Sequence, residues 1–184
     1  MARKQLRYRR HAKNVGGIVG QEELDRIQNI ASDQNNPLSD EMSITDAFHG
    51  TLIRTAQTAI AWLTADGQEP RVHQPIPEIG SDDLFKEMAN DEFKIAQKSM
   101  SNIEALVAVH TPEKVVEYTT NAGEGVRKML DLIEDDGVAE AFGHDPVIPL
   151  AAKAFGADVP SLKELEYIDF IWEDGNITVV DPRG

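Results

Sequence analysis

MARKQLRYRRHAKN, residues 1–14, carries six bases (Arg3, Lys4, Arg7, Arg9, Arg10 and Lys13) and no acid. The 184-residue chain holds 18 bases and 32 acids, so the remainder keeps 12 bases against all 32 acids, a body at −20. A run of like charge this dense repels itself and reads as an extended, solvated arm. Val15 to Gly20, with three glycines, reads as its hinge. An arm of this sign seeks phosphates or an acidic protein face. Tyr8 and His11 lie among its cations, as stacking on nucleic-acid bases would want. Arg3, Lys4, Arg7, Tyr8, Arg9, Arg10 and Lys13 are therefore candidate partner-binding residues. The plainer alternative is a passive tail folded back on the acidic body.

The composition is globular: 41% hydrophobic, 27% charged, net charge −14. No apolar run approaches the ~20 residues that span a bilayer, and no signal-peptide core follows the basic start. The absence of cysteine excludes disulfides, thiolate nucleophiles and cysteine-held metals. These features point to a cytoplasmic protein, or one assembled into a particle in the cytoplasm.

Working toward the carboxyl end, apolar spacing predicts a short helix over Gln21–Ala31, a loop over Ser32–Met42, and a helix from Ser43 to Ala65. Phe48, Leu52, Ile60 and Leu63 would lie in the core from that helix. Gln68–Gly80, with three prolines, reads as an extended crossing. A long helix follows from Ser81 to His110, bent at Asn90-Asp91. Thr111-Pro112-Glu113 is a strong helix start. Lys114–Thr120 suits helix or strand, and Asn121–Gly125 interrupts it before another helix that ends at Asp136-Gly137. Val138–Phe142 reads as a turn or two of helix, Asp145-Pro146 opens a helix to Phe155, and Ser161 with Glu164 forms a capping box for a brief one. Finally, Asp174-Gly175 between two β-branched and aromatic runs is a strong hairpin signal. The fold expected is a mainly α, multi-helix domain (21–166) with a basic arm and hinge (1–20) and a carboxyl-terminal β-hairpin and tail (167–184).

Reactive motifs are sparse. Among five histidines, only Asp46 and His49 share a face of one predicted helix, and they read as a surface pair rather than a metal site. Gly123-Glu124-Gly125-Val126-Arg127-Lys128 has glycines before cations, as a phosphate loop would. Glu124 stands where the anion would go, so it reads as a turn between helices. There is no nucleophile elbow, Walker loop or zinc-protease motif, and the acids lack the alternation of a calcium loop. No catalytic residue, cofactor or metal is expected. The residues point to a non-enzymatic structural subunit of a larger assembly, such as a connector or neck protein of a viral particle. Other subunits, including copies of itself, would be its partners. Ile171, Ile177 and Val180 of the hairpin would make intersubunit contacts, because both hairpin faces carry apolar side chains. A small nucleic-acid-binding regulator acting through the arm is the alternative, and an enzyme of unfamiliar type the third reading.

Overall fold

A computed structural model describes residues 2–33 and 43–183. Most of the expected Ser32–Met42 loop therefore lies outside the described residues. The chain forms a mixed α/β domain rather than a mainly α one. Its elements are β1 (Arg3–Arg10), α1 (Gln21–Ser32), β2 (Asp46–His49), α2 (Ile53–Ala65), β3 (Arg71–Val72), α3 (Asp82–Met88), α4 (Asp91–Ala96), α5 (Asn102–Val109), α6 (Pro112–Leu132), β4 (Val138–Gly143), α7 (Val147–Ala154), β5 (Tyr167–Glu173) and β6 (Asn176–Val180). A single 3₁₀ turn, Pro77–Ile79, precedes α3. The strands make one sheet in the order β3-β2-β4-β1-β5-β6. β1, β2, β3 and β4 run parallel, and β5 and β6 are antiparallel additions.

The expected basic arm is the interior strand β1, hydrogen-bonded on both sides by β4 and β5. Side chains alternate along a strand, and here the alternation sorts apolar from charged. Leu6 and Tyr8 face α6 and α7, in a core with Ala139, Ala141, Ile168 and Phe170. Arg7 and Arg9 take the other face, toward a second core built on α1, α2, Phe142 and Leu165. Arg7 pairs with Asp169 at 3.0 Å, and Arg9 with Glu140 at 2.6 Å. The Arg9 guanidinium also stacks 3.9 Å above the Trp62 ring. Buried cations persist only when paired and hydrogen-bonded, and these are.

Several other expectations need correction. The Ser43–Ala65 helix is two elements, because Asp46–His49 joins the sheet beside β4. Asp46 and His49 consequently point to opposite faces, and Asp46 is buried against Arg71 and His73. Phe48, Leu52 and Leu63 are in the core, whereas Ile60 is 67% exposed on the outer face of α2. The long Ser81–His110 helix is broken into α3, α4 and α5 by the capping side chains of Asn90 and Ser101. Val138–Phe142 is strand, and no helix follows Ser161. Residues 121–125 do not interrupt a helix but continue α6. A Cβ on Gly123 would meet that of Ala154 at 2.6 Å, and one on Gly125 would meet Ile79 Cγ2 at 3.0 Å. These glycines serve close packing on α7 and the 3₁₀ turn. The hairpin forms as expected about Asp174 and Gly175, both at positive φ. No helix of the described residues is long and apolar enough to cross a membrane.

Candidate active site

β1 and β4 are parallel neighbours, and Arg10 stands opposite Gly143 in their register. The next residue on each strand is a histidine. His11 and His144 therefore emerge together at the carboxyl edge of the sheet, where open α/β sheets place their ligands. Their rings meet edge to face, with centroids 4.3 Å apart. The His11 N–H donates to the Gly143 carbonyl, which joins the two strand ends. Two guanidiniums complete the cluster: Arg10, which ends β1, and Arg54, in the first turn of α2. Gly80 lets the rim close in, because a Cβ there would lie 2.7 Å from His144 Nδ1.

Hydrogen bonds fix both imidazole tautomers. His11 Nδ1 lies 2.5 Å from the Ala12 carbonyl oxygen, which can only accept, so Nδ1 carries the proton and Nε2 keeps its lone pair. The Arg54 Nε–H donates to His144 Nε2 at 2.8 Å, so the His144 proton is on Nδ1. His11 is 8% exposed and His144 2%. Burial, with the charges of Arg54 and Arg10 adding to it, lowers the His11 pKa to about 4. Burial, then His11, Arg54 and Arg10, holds His144 well below its ordinary value. Both rings are neutral at pH 7. Phe85 of α3 packs on His144 with centroids 4.2 Å apart, and Asp82 acts on Arg54 by charge. Asp82, Phe85, Arg54 and Leu52 line an open cleft of about 510 Å³.

The depressed histidines make stability depend on pH. Below pH 6.5 the unfolded chain takes up protons that the folded site refuses, so stability is full above that value and falls toward pH 4. For His11 alone the difference between 6.5 and about 4 amounts to about 3 kcal/mol. His11→Gln, which titrates nowhere, should remove about that much of the difference in urea-unfolding free energy between pH 7 and pH 4. An undiminished difference would show that His11 is not buried neutral.

The candidate residues chosen from sequence are scattered. Arg3 pairs with Glu173 at the sheet surface, and Lys4 donates to the Leu130 carbonyl beside Trp172. Arg7 and Arg9 are held inside by carboxylates, and the buried Tyr8 donates to the Ile79 carbonyl. Lys13 is exposed, and only Arg10 reaches the histidine cluster. Ile171 and Ile177 are half-buried, and Val180 is exposed on the outermost strand. In the sequence His11 reads only as a companion of the cations, and His144 and Arg54 stand in no motif. The overlooked signal was the alternation Leu6, Tyr8 against Arg7, Arg9, which marks a strand ending one residue before His11. Residues 123–128 are no phosphate loop: Lys128 pairs with Glu78, and Arg127 lies 4.9 Å above the Phe155 ring. Among the described residues no group of three or more His, Asp or Glu side chains is arranged to hold a metal.

No family model matches the sequence, and no curated protein does. Solved structures do match. A phosphoglycerate mutase from Bacillus anthracis superposes with a TM-score of 0.69 at 14% identity, over 98% of this chain and 92% of that one. YhfR from Bacillus stearothermophilus gives 0.65 at 12%, covering 97% and 96%. The alpha-ribazole phosphatase of Shigella flexneri gives 0.58 at 16%, covering 98% and 97%. The expected structural subunit of a viral particle, with no enzymatic role, does not survive these likenesses to mutase and phosphatase structures, nor the histidine–arginine cluster. The chain has the fold of these mutase and phosphatase structures.

Proposed function

We propose that the protein is a phosphomonoester hydrolase that works through a phosphohistidine on His11. The observation that carries this reading is the His11 ring itself: neutral, with Nδ1 tied to the Ala12 carbonyl and Nε2 without a hydrogen-bond partner among the described residues, beside two guanidiniums. A nucleophile must be unprotonated at working pH, and a dianionic phosphoryl group wants fixed positive charge around it. Arg10 and Arg54 supply that charge. His144 holds Arg54 in place by accepting its Nε–H.

In the first step Nε2 attacks phosphorus as the ester P–O bond breaks, and the leaving oxygen takes a proton from the Asp82 carboxyl, which lines the cleft beside Arg54. In the second, water attacks the phosphohistidine and returns a proton to Asp82. The P–N bond breaks, inorganic phosphate forms and the His11 lone pair is restored. The likeness of the fold to phosphatase structures supports the same reading. The test is release of inorganic phosphate from p-nitrophenyl phosphate, with rapid quenching to trap labelled enzyme. Label that is lost in acid and kept in alkali, as a phosphorus–nitrogen bond requires, is the expected result. Turnover without labelled protein would favour direct attack by water, and no turnover on any phosphomonoester would reject the proposal.

A further inference from the structure

The stretch between α7 and β5 runs back across the ends of β1 and β4 and grips Arg10 at three points. The Arg10 N–H donates to the Glu166 carbonyl at 2.9 Å, and the Leu165 N–H donates to the Arg10 carbonyl at 3.0 Å. The guanidinium Nη1 donates to the carbonyl of Leu162, a buried residue. The same Leu162 offers its N–H to Oδ1 of Asp145 at 3.3 Å. One peptide residue thus links a carboxylate on one side to a guanidinium on the other.

Asp145 directly follows His144 and is itself buried. Its Oδ2 accepts from Asn102 Nδ2, in the first turn of α5, at 2.6 Å. The neighbouring Ile103 N–H donates to Ser161 Oγ at 3.4 Å, so α5, the 161–166 stretch and the strand end carrying His144 converge on this carboxyl. Burial raises the Asp145 pKa, and the Arg10 charge opposes that rise. The Nε–H of Arg10 is buried with no hydrogen-bond partner among the described residues, which leaves it for a ligand.

We propose that Asp145 is a positioning residue of the anion site, acting through the Leu162 peptide to hold the Arg10 guanidinium beside His11. The proposal rests on the phosphate reading above. An arginine that keeps its place without ligand binds a phosphoryl group without first being ordered, which is the advantage of preorganisation.

The test is a double-mutant cycle on binding of inorganic phosphate, followed by calorimetry on full-length proteins shown folded by circular dichroism. Asp145→Ala should weaken phosphate binding about tenfold and raise KM for p-nitrophenyl phosphate more than it lowers kcat. Asp145→Asn keeps an oxygen for the Leu162 N–H and should recover most of that loss. In an Arg10→Ala background, Asp145→Ala should change phosphate affinity no further. Should Asp145→Ala fail to fold, Asn102→Ala removes one anchor of the carboxyl. It should weaken phosphate binding about threefold, again only where Arg10 is present. Equal losses in both backgrounds, or unchanged affinity in Asp145→Ala, would overturn the role of Asp145 alone. A wild-type protein that binds no phosphate would overturn the phosphate reading and this role together.

Discussion

His11→Ala should lower kcat for p-nitrophenyl phosphate at least about a thousandfold while leaving KM within a few-fold of its original value. The split follows from the division of labour at the site. In the proposed reaction Arg10 and Arg54 would hold the phosphoryl group by charge, and neither depends on the His11 ring for its own position: Arg10 is held by Leu162, and Arg54 by His144. Only the covalent step needs the lone pair on His11 Nε2. His144 cannot substitute, since its Nε2 accepts from Arg54 and its Nδ1 lies 2.7 Å from where a Cβ on Gly80 would stand. Acid-labile phosphate label on the protein should vanish in the variant. Retention of a tenth or more of the activity would show that the nucleophile lies elsewhere. The low His11 pKa adds a signature in the wild type, because a group deprotonating at about 4 leaves kcat/KM flat from pH 7 down to about 5 on its account.

Glu140→Ala should cost about 3–5 kcal/mol of folding stability, the largest effect expected away from the site. Arg9 is 1% exposed and Glu140 2%, and the carboxylate takes both Nε and Nη2 of the guanidinium at 2.6 Å. The third donor, Nη1, goes to the Leu165 carbonyl at 2.7 Å, and the rings of Trp62 and Tyr167 cover the rest. Without Glu140 a full positive charge stays buried with no water to solvate it. Against a total stability of about 5–15 kcal/mol for an ordinary domain, that is about a fifth or more of the reserve. The paired change Arg9→Met with Glu140→Leu should fall much closer to wild type, since it removes the charge together with its partner. Chemical denaturation reads both. A loss below about 1 kcal/mol for Glu140→Ala would mean that water reaches the pair.

Local sequence carried some of this fold and hid the rest for identifiable reasons. The Asp174-Gly175 hairpin, the Thr111-Pro112 start of α6 and the helix after Asp145-Pro146 were legible because turn chemistry and caps act over a few residues. β1 was not. Its alternation is regular, yet one of its faces is made of arginines, and charge outweighs period when no partner is in view. The partners are Glu140, 131 residues beyond Arg9, and Asp169, 162 residues beyond Arg7. β2 was lost differently: Ala47 and Phe48 happen to fall in phase with the apolar stripe of α2, so a four-residue strand reads as the first turn of the helix. In β4, small alanines and a glycine weaken the strand signal because their job is to fit between Tyr8 and the helices. The site was illegible for the same reason as the sheet. His11 and His144 become neighbours only when β1 and β4 pair, and Arg54 joins them only because β2 interrupts what looks like one helix.

The interior place of β1 also determines when function can appear during synthesis. Its hydrogen-bonding partners, β4 and β5, lie far later in the chain, so the strand leaves the ribosome long before either exists. Contacts of such long range are slow to close, and until they do, Arg7 and Arg9 have no carboxylate and Leu6 and Tyr8 no core. A nascent chain that stops anywhere before β4 holds His11 without His144. One that stops before β5 leaves an open strand edge where Asp169 should stand. Helical segments such as α1 with α2 can form early, but they have no sheet to cover. The last third of the polypeptide therefore completes both the middle of the fold and the pairing of His11 with His144, and no amino-terminal fragment is a smaller version of the domain.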